Sequence, residues 1–116
     1  MPRVVAYMDD LFFQMKIAET AKHLHLEVKV AGNPESLLQL MDPLPKLVIV
    51  DLNARNAPIQ AVERLRVIQP DLPVIGFLSH VQTDLAAKAK AAGFQQVMPR
   101  SQFTANLPQI LAIAKD

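Results

Sequence analysis

The sequence predicts an α/β domain, a parallel sheet with helices on both faces, built from five βα units. Five short apolar runs recur: "RVVAYM" (3–8), "LEVKVA" (26–31), "LVIV" (47–50), "PVIGFL" (73–78) and "QVM" (96–98). Each is separated from the next by a segment of helical period, the alternation that βαβ units require. The third run is decisive. Leu47 to Val50 is too short for a helix and too apolar for a surface strand, so it reads as a central strand buried on both faces. The second run alternates Leu26, Val28 and Val30 with Glu27 and Lys29, as a half-exposed edge strand does.

The helical segments carry their own punctuation. Asn33-Pro34 supplies an N-cap and a first-turn proline before "ESLLQLM", and Gly93 stops the helix of "TDLAAKAKAA". In the last segment Leu107, Ile110, Leu111 and Ala114 fall at helical spacing and form a core-facing stripe, with Pro108 confined to the first turn. No linker, repeat or low-complexity tract interrupts the pattern, so residues 1–116 are expected to form one domain.

Composition excludes several functions. A chain of 116 residues buries a core without staples, and the absence of cysteine excludes disulfides, Cys-zinc sites and thiol catalysis. Twelve Lys and Arg against eleven Asp and Glu leave no basic excess for nucleic acid. The opening "MPRVVAYMDD" suits neither a signal peptide nor a membrane span, so no membrane association and a cytoplasmic location are expected.

The acids are the first candidates for chemistry. Asp9 and Asp10 end the first strand, Asp51 ends the third, and in a parallel sheet these carboxyl ends share one edge. Clustered carboxylates repel and raise one another's pKa, so an all-oxygen set of this kind suits Mg²⁺, with the backbone carbonyl of Asn53 as a further ligand. Each acid alone has a plainer role: Asp10 as the cap of a helix starting at Leu11, and Asp51 as the cap of a turn.

"VVAYMDD", "LVIVDLN", "LPVIGFLSH", "AAGF" and "VMPRSQF", in this order across nearly the whole chain, resemble the receiver domains of two-component response regulators. The resemblance implies a flavodoxin-like (βα)5 fold, a doubly wound parallel sheet of strand order 2-1-3-4-5. It also implies an acid pair, Asp9 and Asp10, that holds Mg²⁺, and a phosphoacceptor, Asp51. In that family the aspartate attacks the phosphoryl group of a histidine kinase while the metal offsets the charge on the transferring oxygens.

Other family positions are changed. The Thr or Ser that ends the family's fourth strand and bonds the phosphoryl group corresponds to Leu78, with Ser79 one place late, so Ser79 serves only if the strand slips or bulges. The family lysine corresponds to Arg100, the proline after it to Ser101, and the aromatic switch residue to Val97. The loop after Asp51, "NARNAPIQ", lacks the usual Met-Pro and later Gly. Lysine is a compact movable charge, whereas arginine is a planar fork that locks a carboxylate, so Arg100 is expected to pair with Asp51. The plainer roles are a solvated surface charge for Arg100 and a cap or loop hydroxyl for Ser79.

Weaker candidates complete the set. Ser79-His80 has no third group for nucleophilic catalysis, and His23 and His25 lack a nearby acid for zinc. In "LFFQM" (11–15), Phe12 and Phe13 cannot both face inward, and one is expected to rim the acid pocket. The glycines are too scattered for a phosphate loop.

The expected function is therefore a stand-alone receiver-like regulator of phosphorelay signalling, not an enzyme, acting through a protein partner such as a histidine kinase or effector. Three alternatives stay open: a working receiver phosphorylated on Asp51, a phosphorylation-independent interaction or oligomerisation module, and a small flavodoxin-like enzyme. A homodimer or partner contact is expected on the face carrying Lys88, Lys90, Gln95, Gln96 and Gln109.

Overall fold

The computed structural model describes residues 1–79 and 82–115. Five strands, β1 (Arg3–Tyr7), β2 (Glu27–Ala31), β3 (Leu47–Asp51), β4 (Val74–Leu78) and β5 (Gln96–Pro99), form one parallel sheet in the order β2-β1-β3-β4-β5. This is the flavodoxin-like, doubly wound arrangement. The helices α1 (Leu11–His23), α2 (Pro34–Gln39), α3 (Pro58–Ile68) and α4 (Thr83–Ala92) follow the first four strands, and α5 (Arg100–Ala105) follows the fifth. The last segment is split: α5 ends at Ala105, and α6 (Leu107–Leu111) and a 3-10 turn at Ala112–Ala114 follow. Pro108 lies in the first turn of α6, where its missing N–H costs nothing.

Strand alternation feeds two cores. Val4, Ala6, Ile49, Ile75 and Phe77 pack under α1, α5 and α6 through Phe13, Ile17, Phe103 and Leu107. Val5, Tyr7, Val48, Val50 and Val74 pack under α2, α3 and α4 through Leu37, Ala61, Leu65 and Ala89. Every residue of β3 and β4 is buried, which is why their sequences read as unbroken apolar runs. The β2 strand is the edge, as its alternation predicts.

The caps sit where the sequence places them. Asn33 accepts from the Ser36 N–H at 2.8 Å and closes a capping box, and Gly93 ends α4 in the left-handed region at φ 110°. A Cβ at Gly93 would lie 2.8 Å from Arg66, and that neighbour is a clasp no local pattern announces. The Arg66 guanidinium donates to the Gly93 carbonyl at 2.7 and 3.0 Å and to the Leu72 carbonyl at 2.6 Å, joining the ends of α3 and α4 to the loop before β4. Arg66→Ala strands these carbonyls, and a loss of about 2 kcal/mol is expected because hydrogen bonds to a charged group are of that size. Urea unfolding checks this, and an unchanged midpoint would show the clasp to be dispensable.

Candidate functional site

Asp9, Asp10 and Asp51 meet at the carboxyl edge of the sheet, because β1 and β3 are adjacent and parallel. Their side chains face separate partners. Asp10 is the N-cap of α1, its Oδ1 accepting from the Phe13 N–H at 3.0 Å, while its Oδ2 accepts from Arg100 at 2.7 Å. Asp9 turns outward, and its Oδ2 accepts from both the backbone N–H and Nε of Arg55, at 3.0 and 3.1 Å. Asp51 is buried, 6 % exposed, and its Oδ1 accepts from the Asn53 N–H at 2.9 Å, which closes the turn after β3.

These settings separate the acids electrostatically. Backbone and guanidinium donors hold Asp9 and Asp10 below the usual carboxylate range, through Arg55 for the first and through Phe13 and Arg100 for the second. Burial pushes Asp51 up, only partly offset by the Asn53 N–H and the positive charge of Arg100.

The structure corrects the expected pairing of Arg100 with Asp51. Arg100 opens α5 with its guanidinium 4.2 Å from the Phe13 ring centroid and 5.6 Å from that of Phe77. Phe13, Phe77 and Phe103 form one aromatic cluster, with centroids 4.6 to 5.9 Å apart. A planar cation stacks on such a bed, and from there its donor meets Asp10, which caps the helix carrying Phe13. Phe13 is thus buried and Phe12 lies outside, 86 % exposed.

Of the expected cation set, Asp9 and Asp10 each meet an arginine, and Asp51 bonds the Asn53 N–H. Among the described residues no group of three acidic, histidine or cysteine side chains is arranged to hold a metal ion. Two arginines supply positive charge to Asp9 and Asp10, Arg55 at 3.1 Å and Arg100 at 2.7 Å.

Ser79 has not entered the strand. The β4 register runs residue for residue against β3 and β5 up to Leu78, without a bulge. Leu78 is buried in the α3 and α4 core, and exposed Ser79 follows it. The Asn53 side chain bridges this loop, accepting from the Ser79 N–H at 2.7 Å and donating to Gln82 at 3.0 Å. His80 of the Ser79-His80 pair lies outside the described residues. His23 meets Glu19 at 3.2 Å, an exposed one-turn pair on α1.

The loop after β3 was the least legible part. Asn56 and Ala57 both take left-handed backbone, at φ 67° and 57°, where L residues are disfavoured. Asn56 is held by the Tyr7 hydroxyl, which donates to its carbonyl, and by its own amide, which donates to the Gly32 carbonyl at 2.8 Å. The clue was "NARNAP", a polar loop with Arg55 two residues past Asn53.

A five-stranded parallel sheet in this order carries acids at the carboxyl ends of its first and third strands. The chain has the fold of response-regulator receivers. It is similar to the receiver domain of NtrX from Brucella abortus, at 19 % identity and TM-score 0.81, covering 96 % of each chain. It also resembles the phosphorylated cyanobacterial phytochrome response regulator RcpA, at 12 % identity and TM-score 0.83, covering 97 % of this chain and 93 % of the other. A response regulator from Burkholderia pseudomallei, solved with a phosphorylated aspartic acid, a calcium ion and citrate, matches at 20 % identity and TM-score 0.81, covering 99 % and 67 %. No protein-family model and no curated protein matches the sequence. Identities this low carry the fold and leave the chemistry to the residues.

The carboxyls titrate in opposite senses. Asp9 and Asp10 ionise more readily in the folded state, so their stabilisation is present above the ordinary carboxylate range and is lost as pH falls through it. Asp51 ionises less readily when folded, so its charge costs stability as pH rises through its folded range. Asp51→Asn is therefore expected to raise the urea midpoint at neutral pH, with the gain shrinking to nothing on acidification. A pH-independent gain, or a loss, would refute the burial cost.

Proposed function

We propose that this chain is a receiver-like signalling domain of a phosphorelay, acting by protein contact, with its acid pair met by two arginines of its own, half-buried Arg100 and exposed Arg55. The observation that carries this is the pairing of Asp10 with Arg100 and of Asp9 with Arg55. In the Burkholderia protein a phosphoaspartate and a calcium ion occur in one structure. Here a divalent cation has to displace a guanidinium from each acid, so Mg²⁺ is bound weakly.

Phosphoryl transfer to Asp51 requires one of its oxygens to attack phosphorus, forming a P–O bond as the bond to the donor's nitrogen or oxygen breaks. Two features oppose this step. Asp51 is nearly closed off from solvent, and Leu78, which corresponds to the receivers' hydroxyl residue, has no side-chain donor for the phosphoryl oxygens. A hydrogen bond to a charged group is worth about 1.5–3 kcal/mol, and two-state switches have gaps of a few kcal/mol, so one absent donor removes a comparable bias. The exposed Lys88, Lys90, Gln95, Gln96 and Gln109 on α4, β5 and the region of α6 offer a polar surface to an effector or kinase.

The test is intact mass after incubation with a small phosphodonor and Mg²⁺. The native chain is expected to gain phosphate slowly or not at all, and Arg100→Lys with Leu78→Thr to gain it on Asp51. Fast labelling of the native chain, abolished by Asp51→Asn, would instead establish a working receiver. In parallel, Mg²⁺ is expected to leave native thermal stability unchanged and to raise that of the Arg55→Ala, Arg100→Ala variant. Equal Mg²⁺ stabilisation of both would show that the arginines do not occupy the acids.

A further inference from the structure

The two edges of the sheet differ in character, and the β2 edge is the apolar one. Leu11, Met15 and Ala18 form a second stripe on α1, about a third of a turn or more from the buried stripe of Phe13, Ile17 and Ala21. With Val28 and Val30 of β2 they line one apolar groove open to solvent. Leu11 is 70 % exposed, Met15 69 % and Val30 43 %. Together these three side chains expose on the order of 300 Å² of apolar surface, the size of a large patch on an ordinary monomer.

The backbone of β2 is open along the same edge. Glu27 donates to the Pro2 carbonyl and Ala31 accepts from the Met8 N–H, so the residues of odd number turn their amides toward β1. Val28 and Val30, between them, turn theirs toward the open edge. Such an edge is a template for another strand. The side chains divide the other way: Leu26 and Val28 belong to the α1 face, whereas Ala31, and hence Glu27 and Lys29, belong to the α2 and α3 face.

We propose that this edge binds a second copy of the chain, β2 against β2 in antiparallel pairing about a two-fold axis through Val28. Charge selects this register. It places Glu27 of each copy opposite Lys29 of the other, giving two facing ion pairs, whereas a two-fold through Lys29 would oppose like charges. The lysine that would otherwise guard the edge then becomes an attachment. A two-fold normal to the sheet keeps both α1 helices on one face, where their Leu11, Met15 and Ala18 stripes close over the seam. The apolar patch supplies more than a third of the roughly 800 Å² per partner that a stable interface buries, with strand pairing and the ion pairs supplying the rest. The polar α4 and β5 face stays free, so this inference stands apart from the phosphorelay reading.

The experiment is molar mass by light scattering and sedimentation from about 1 µM to about 1 mM, a range that brackets micromolar association. The mass of the native chain is expected to rise from 12.9 kDa toward twice that. Lys29→Glu and Glu27→Lys are each expected to weaken association at least about tenfold, and the double exchange to restore it. Met15→Glu, folded by circular dichroism, is expected to stay monomeric. A native chain that is monomeric throughout overturns the proposal. So does a dimer indifferent to the Glu27 and Lys29 exchanges, or one that survives Met15→Glu. A chain that stays monomeric but captures an added amphipathic helix in the α1 groove would assign the groove to a foreign partner and equally overturn self-association.

Discussion

The guanidinium of Arg100 holds the functional end of this fold together. It lies on the Phe13 ring, faces Phe77 and donates to Asp10, so the start of α5 is bound to the start of α1 across the top of β4. A cation over an aromatic face gains about 0.5–2 kcal/mol according to how well water is excluded, and the charge-assisted bond to Asp10 adds to it. The arrangement depends on planarity. A lysine ammonium in the same place has no face to stack and is more strongly hydrated, so it would leave the aromatic bed and reach for whichever anion was free. Exchanging lysine for arginine therefore moves the cation from a mobile role to a fixed one.

The consequences run through the three acids. Arg100 and Arg55 pair with Asp10 and Asp9, leaving Asp51 as the acid of the three in which burial outweighs the donors that answer its charge, chiefly a backbone N–H. A cation entering the edge would meet two carboxylates already engaged. The Asn53 side chain bridges the β3 loop to Ser79 and Gln82, and the Tyr7 hydroxyl is fixed to the Asn56 carbonyl. These contacts tie the loops after β1, β3 and β4 into one frame.

What the sequence could reveal follows from how local each cause is. The β3 and β4 strands were legible because burial on both faces writes an unbroken apolar run, and β2 because an edge writes alternation. The Asn33 cap and the Gly93 stop were legible because backbone geometry alone demands those residue types. The convergence of Asp9, Asp10 and Asp51 followed from parallel topology. Their orientation did not. The partner of Arg100 depends on Phe13, Phe77 and Phe103, which come from three distant segments, and the partner of Asp9 depends on the path of the loop carrying Arg55. Arg66 escaped notice for the same reason, because its acceptors are carbonyls, and any residue has one.

The same separation of local and global causes explains why one strand can carry two messages. Alternation in β2 was enough to identify an edge, yet it says nothing of what the outward valines face. The fold supplies that by placing α1 over the same side of the sheet, so that Leu11, Met15 and Ala18 stand beside Val28 and Val30. A helix with one apolar stripe buries it and is finished; α1 has two, and only Phe13, Ile17 and Ala21 are covered by its own domain. The opposite edge, β5, is bordered by exposed Gln95 and Gln96 and by the lysines of α4, side chains that water already satisfies. Removing apolar surface from water is the dominant gain in association, whereas a polar rim mainly directs the choice of partner. The β2 edge therefore has the stronger physical reason to be permanently covered, and the β5 edge the better chemistry for contacts that form and release.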